Sequence, residues 1–516
     1  MAGEKDNEIA ARAGRGGAAV LGAKIFFILA GFVQQPLLKW AIGLAAYDAL
    51  SGRVLGVANI VNNVMVSAST QSASRAVAQA HGDERKALRL ALRVHVPMAI
   101  AVAAAFAAAA PLVAWFQHAP HVLVPLFAAS GVVLLYGIYA PLVGSLNGRG
   151  LFTKQATLDV LFATLRTALL VGLGIAFVRL GLGGPLGAIL GFVLAAAIIL
   201  VVALRFTGTG EAGTSASVPT AKVYLAALLP LALTQLFTNA LMQQDTILLG
   251  RFLAEGATTS NLAGSSAADA ADEWVGVYRA CQLFAFLPYQ LLLSLTQVLF
   301  PMLARAKAEG DGAAIRDYVL RGSRLGAIAT GLFVSAIVAM PGTAIRLAYG
   351  AEVAARGAST LRVLVLAQAL FAMLGLANTI LASLGHERRA AQITGGAAVL
   401  AATLMFVLTP GATFGEPMLQ RTALAVSIAL AIALVVATMA VRRVANAFVP
   451  LGTALRVALA VAPCVVMGVM MPTVRPILAP ALGAAAAGVY VLGLVVTREL
   501  RAADVAPIWT RLRRRG

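Results

Sequence analysis

The chain has 516 residues, of which 60% are hydrophobic and only 12% charged, with a formal net charge of +19 and a mean hydropathy of +0.87. About a quarter of a soluble domain is charged, so half that share leaves too little polar surface for a water-facing globule and points to a bilayer as solvent. The surplus of base does not read as nucleic-acid binding, because no basic stripe carries interleaved aromatics. The two cysteines, Cys281 and Cys464, sit inside apolar runs and provide neither a disulfide framework nor a metal site.

A membrane-crossing helix needs about 20 mostly apolar residues. Such runs centre near Ala30, Val64, Ala105, Leu134, Leu170, Val193, Leu236, Leu291, Leu332, Leu370, Leu400, Leu430, Ala462 and Gly488, which predicts an all-α integral membrane protein of about 14 transmembrane helices. The second run, 55–76, is the most polar, and it is kept because the loop charges demand a crossing there. No cleavable signal peptide is expected, since the first run is long enough to span. Lys and Arg collect in alternate loops: about 28 of the 40 lie on one side, against about eight in the intervening loops. That asymmetry predicts cytoplasmic N- and C-termini and hence an even number of spans.

The Gly/Ser/Thr-rich stretch within 207–222 reads as a cytoplasmic linker between an N-terminal half, 1–206, and a C-terminal half, 223–445. Residues 446–516 then form an additional helix pair and a basic tail. The acidic segment 255–273 reads as a solvated outer loop. The halves resemble one another. Thr70-Gln71 and later Gly82-Asp83 match Thr296-Gln297 and Gly310-Asp311, and Ser145-Leu146 with Arg149 matches Ser383-Leu384 with Arg388. Both pairs exit on the same side, so the repeats are expected to be parallel, related by an axis along the membrane normal, with a cavity between them.

Polar side chains at bilayer depth are costly and face wet interiors. They concentrate in the first and second helices of each half: Lys24, Gln34 and Lys39; Asn59, Asn62 and Asn63; Gln235, Asn239 and Asp245; Arg279, Gln282 and Gln290. These four helices are therefore expected to line the cavity. Pro36, Pro230 and Pro288 interrupt three of them and predict kinks. Gly183, Gly187 and Gly191, spaced by four, read as helix packing. No phosphate-binding G-x-x-x-x-G-K-[ST] loop, H-E-x-x-H or G-x-S-x-G occurs. The chain therefore reads as a transporter without cofactor or metal rather than an enzyme, driven by an ion gradient, the membrane potential or the substrate gradient.

The segment from Tyr278-Arg279 through Pro288 and Thr296-Gln297 to Pro301 resembles the eighth helix of the multidrug/oligosaccharidyl-lipid/polysaccharide exporter superfamily, in its polysaccharide and lipid II flippase branch. Asp245 to Gly250, Arg346 to Gly350 and Asn378 to Arg388 are similar to patterns in the same proteins, and the likeness covers about residues 15–445. It implies a flippase that moves a polyprenyl-diphosphate-linked oligosaccharide from the cytoplasmic to the outer leaflet of the bacterial inner membrane, for envelope polysaccharide or peptidoglycan synthesis. It also implies basic residues in the first, second and eighth helices, for which Lys24, Arg53 and Arg279 are the nearest matches, and an acidic one after the first helix, nearest Asp48. Lys24 stands where the lipid II branch uses arginine, and the glycine-led motif of that branch is absent near residues 69–74, which favours a general polysaccharide-unit flippase. On chemical grounds Lys24, Lys39 and Arg279 suit the diphosphate, while Asn62, Asn239 and Gln282 suit the sugars. Asp48 and Asp245 are the candidate coupling or structural carboxylates. The implied partners are membrane lipids, a coupling proton or sodium ion, and envelope polymerases. A multidrug exporter of the same fold is the alternative, and it would need buried carboxylates for cationic drugs.

Overall fold

A computed structural model describes residues 22–23, 25–80, 83–208, 220–260, 265–471 and 473–500, and every regular element among them is helical. In chain order these are α1 (Ile25–Ile42), α2 (Leu44–Gln79), α3 (Glu84–Phe116), α4 (Leu123–Gly148), α5 (Phe152–Arg179), α6 (Gly184–Thr207) and α7 (Ala221–Thr259). They continue with α8 (Ser265–Ala285), α9 (Leu287–Ala308), α10 (Gly312–Val338), α11 (Pro341–Tyr349), α12 (Ala351–Ser383), α13 (Glu387–Leu408), α14 (Glu416–Ala445), α15 (Leu451–Met470) and α16 (Ala479–Val496). Among the described residues, thirteen helices are long and apolar enough to cross a bilayer, or 14 if α10 and α11, bent by 74° at their junction, count as a broken span. This agrees with the fourteen apolar runs, and the chain is a multi-pass membrane protein. Large apolar side chains such as Trp115, Val399 and Leu459 are exposed, as lipid-facing positions require.

Local chemistry sets the breaks. Gly43, at φ 87°, turns the chain from α1 into α2 in a conformation that side chains with a Cβ avoid. Asp83, Thr220 and Asp311 cap α3, α7 and α10 by accepting a backbone N–H from Lys86, Val223 and Ala314. The eighth apolar run is not one helix: it breaks at Phe286, and Pro288 lies in the first turn of α9, where its missing N–H costs nothing. The segment 255–273 departs from the solvated loop expected of it. α7 runs on to Thr259, α8 starts at Ser265, and Asp272 is buried.

The chain divides into two compact units, Met1–Gly276 and Val277–Gly516. In the first, α2 packs on α4 and on α7, α4 on α3 and α6, and α5 on α6. In the second, α9 packs on α10 and α12, α12 on α14, and α13 on α14, while α15 and α16 pack on each other and on α10. Backbones approach closely where glycine removes the side chain. A Cβ on Gly144 would lie 2.5 Å from Thr70 O, fixing α4 to α2. Gly187 and Gly191 abut the Leu173 and Leu169 carbonyls of α5, the packing role expected of them, whereas Gly183 precedes α6 at φ 91° and has no neighbour within 4 Å of a Cβ built there. Just beyond α16, the buried Glu499 accepts hydrogen bonds from Arg324 Nε of α10 (2.7 Å) and from Thr453 Oγ1 (2.8 Å) and Arg456 Nη1 (3.0 Å) of α15. Burial alone would raise the Glu499 carboxyl pKa, but these donors outweigh it and hold the carboxyl below its ordinary range. The helix pair is thus pinned to α10 by one carboxylate.

Candidate functional site

A buried charge cluster in the first unit is built on α2. Residues Ala49–Val54 form a π-helical turn that is buried throughout. It places Asp48 and Arg53 side by side, with Arg53 Nε 3.8 Å from Asp48 Oδ2, and both side chains are almost fully excluded from solvent. Arg53 Nη1 donates to the Gln117 carbonyl at 2.9 Å, and Nη2 lies 2.6 Å from Asp272 Oδ1 of α8. The second Asp272 oxygen lies 2.8 Å from His121 Nε2 in the short α3–α4 connection. A second, more exposed pairing flanks it. His118 Nε2 lies 3.2 Å from Glu255 Oε1, Arg251 Nε donates to the same oxygen at 2.9 Å, and the Arg251 guanidinium lies over Phe116, 4.7 Å from its ring centre. Desolvating these groups is expensive, and only mutual pairing makes it tolerable.

Polar contacts also link α2 and α7, directly and through α3. Midway, Asn63 Nδ2 donates to Asn239 Oδ1 at 2.8 Å, and Asn239 Nδ2 donates to Gln235 O at 2.9 Å. At the far end the buried His95 of α3 bridges Ser69 Oγ (3.1 Å) and Tyr224 Oη (2.8 Å). Part of the polarity of the second and seventh runs thus ties these helices to one another and to α3.

The predicted residues fall as follows. Asp48 and Arg53 are brought together. Asp245 is buried and accepts the Thr246 N–H at 2.8 Å. Asn62 is buried, and Asn239 is paired with Asn63. Lys39 stacks 3.9 Å from the ring centre of the exposed Trp40. Arg279 Nη1 donates to the buried Gln282 Oε1, one turn on, at 2.8 Å. Lys24 lies outside the described residues, as do most of the 207–222 linker and the basic tail from residue 501. Missed in the sequence were Asp272, Gln117 and His121. Their signal was present, in an acidic segment and in two histidines in one short loop, but both read as solvated turns.

In the second unit, α10, α12, α14 and α15 enclose a groove of about 1110 Å³, walled by Val334, Leu370, Met373, Met439 and Val461 and carrying Arg442. Its walls are aliphatic, so it suits a long hydrocarbon chain.

Residues 13–307 match the family model of polysaccharide biosynthesis proteins. No curated protein sequence is similar to the chain. Among solved structures, the lipid II flippase MurJ in an inward closed conformation superposes with a TM-score of 0.70 at 12% identity, covering 94% of this chain and 99% of that one. The MATE multidrug transporter DinF-BH gives 0.61 at 17% identity, covering 83% of this chain and 94% of that one. An outward-facing MATE family transporter of the MOP superfamily gives 0.60 at 13% identity, covering 83% and 95%. At these identities the likeness establishes the fold.

Proposed function

Because this chain belongs to the polysaccharide biosynthesis protein family, we propose that it flips a lipid-linked oligosaccharide across the bacterial inner membrane by alternating access, with both termini in the cytoplasm. The observation that carries this reading is the aliphatic groove of about 1110 Å³. A polyprenyl tail needs an apolar channel at membrane depth while its diphosphate and sugar cross through polar surroundings. The first helix of the extra pair, α15, walls that groove, and the MurJ structure covers 94% of this chain where the MATE structures cover 83%, as an additional pair would require. Arg279, Lys39 and Lys24 are the proposed diphosphate contacts. Arg fits best at a bidentate phosphate position. The amides of Asn62, Asn239 and Gln282 are proposed to meet the sugars when the α2–α7 seam opens. The repeat of the two six-helix halves supplies the rocking motion.

Depletion of the protein tests the reading. Lipid-linked precursor should accumulate in the inner leaflet, and Arg279→Ala should fail to reverse this while reaching normal levels in the membrane. Unchanged precursor pools would overturn it. The fold likeness to MATE transporters favours one second reading, ion-coupled drug export, and resistance to cationic dyes is its assay.

A further inference from the structure

We infer that His121 and Asp272 form a proton-binding site that couples protonation to closure of the end of the pathway where α2 meets the α3–α4 connection and α8. The inference rests on the transport reading only for the existence of an open state. Proton binding is a property of the chain itself.

The geometry is specific. Asp272 is buried, and each of its oxygens serves a different element, Oδ1 the Arg53 guanidinium of α2 and Oδ2 the His121 imidazole. Asp272 therefore ties α2, α8 and the α3–α4 connection together through one carboxylate. His121 itself is 38% exposed, so protons from the adjoining aqueous phase can reach it. A hydrogen bond between imidazolium and carboxylate is much stronger than one from neutral imidazole, and imidazole changes charge within the physiological range. Opening this end separates His121 from Asp272 and hydrates both. The proton is then held more tightly in the closed state than in the open one, and by linkage acid favours closure.

The surrounding charges are of both signs. α2 contributes Asp48 beside Arg53, so Asp272 shares its guanidinium with a second carboxylate and gains from a second cation. α7 contributes the buried Asp245 together with Arg251 and Glu255, and α8 also carries Asp269 and Glu273. In the same loop as His121, His118 pairs with Glu255, but both are more than 40% exposed, so water screens that pair. The proton-linked step is assigned to His121 for this reason. Basic loops lie at the opposite ends of these helices, so the positive-inside asymmetry puts the site at the outer face. A transporter that closes outside on taking up an external proton is reset after releasing its cargo.

The test uses the full chain in proteoliposomes. Ala49→Cys, in the buried π-helical turn, is labelled with a water-soluble maleimide. Its rate is divided by that of Ser260→Cys, an exposed site at the end of α7, which cancels the pH dependence of the thiol reaction. The native cysteines, Cys281 and Cys464, are buried. The normalised rate should fall toward acid, by up to about tenfold per pH unit where one proton is linked. His121→Gln keeps a neutral hydrogen bond and should abolish the slope. Asp272→Asn should abolish it too, but at a high rate throughout, because it also weakens the Arg53 tie. His118→Gln should leave the slope intact. A flat wild-type profile between about pH 5.5 and 8.5, or a slope that survives His121→Gln, overturns the inference. If Asp272→Asn does not fold, the His121→Gln and His118→Gln pair decides alone. A flat profile in a protein that still flips precursor defeats only the proton site. A normal slope in one that does not flip defeats only the flippase reading.

Discussion

Gly52 offers a test of the buried charge cluster by a single methyl group. A Cβ at this position would overlap Asp48 Oδ1, lie 3.0 Å from Asp48 Cγ and 3.2 Å from Thr246 Cγ2. The carboxylate would have to swing away from Arg53 Nε, now 3.8 Å off. Losing part of a buried charged interaction costs about 1–3 kcal/mol. Replacing Gly by Ala within a helix returns up to about 1 kcal/mol, so Gly52→Ala should destabilise by about 1–2 kcal/mol. Asp48→Ala removes the obstructing carboxylate and should itself cost about 1–2 kcal/mol, since Arg53 keeps its bonds to Gln117 and Asp272. In the double variant the methyl meets no carboxylate, so Gly52→Ala should become neutral or stabilising, a coupling of about 1–3 kcal/mol. SDS-induced unfolding of the four proteins measures this. Additivity within about 0.5 kcal/mol would mean that Asp48 does not occupy the space against Gly52.

Three further outcomes follow from the same structure. Glu499→Gln should lower stability by about 1–3 kcal/mol near neutral pH, the cost of unpairing charged donors. Because the folded carboxyl pKa is depressed, the wild-type advantage is present above the ordinary carboxyl value and vanishes as pH falls through the folded one. Unfolding midpoints across acid pH check the sign. Ala458→Trp, at a groove-lining, exposed position, should block flipping of substrates with long polyprenyl tails by about tenfold or more, about 1.4 kcal/mol. Short-tailed analogues should still be flipped, as a comparison of initial rates with the two substrates would reveal. Reporter fusions after Arg93, Arg324 and Arg443 should all read cytoplasmic, and one reversed reporter would break the assigned topology.

Most of the fold was legible because the bilayer imposes it. Apolar runs of spanning length have few alternatives to a helix, and the charge asymmetry of the loops phases them even where the second run is polar. The glycines of α6 were readable for the same reason: spacing by four puts them on one face, where Leu169 and Leu173 present carbonyls. The break in the eighth run was half legible, since Pro288 forecast a kink but not that a new helix would start at Leu287. The charge cluster was not legible as a unit. Arg53, Asp48, His121 and Asp272 come from three separate stretches of chain, and Asp272 stands among alanines and acids that look solvated. Only the antiparallel packing of α7 along α2, followed by α8, returns it to Arg53. Polarity in α2 and α7 left their role open, because amides that could line a cavity and amides that bond across a seam have the same sequence signature.

The transport cycle proposed for this chain depends on its cargo being a lipid-linked sugar. That cargo can be tested by placing the purified chain in vesicles carrying a fluorescent polyprenyl-diphosphate oligosaccharide and following the sugar's exposure to an impermeant modifying enzyme. The protected fraction should become accessible with the wild-type chain and not with Arg279→Ala, whereas a phospholipid probe of equal charge stays behind. Protection unchanged by the wild-type chain, in vesicles where it expels cationic dye, would contradict a lipid-linked cargo and assign the fold to drug export.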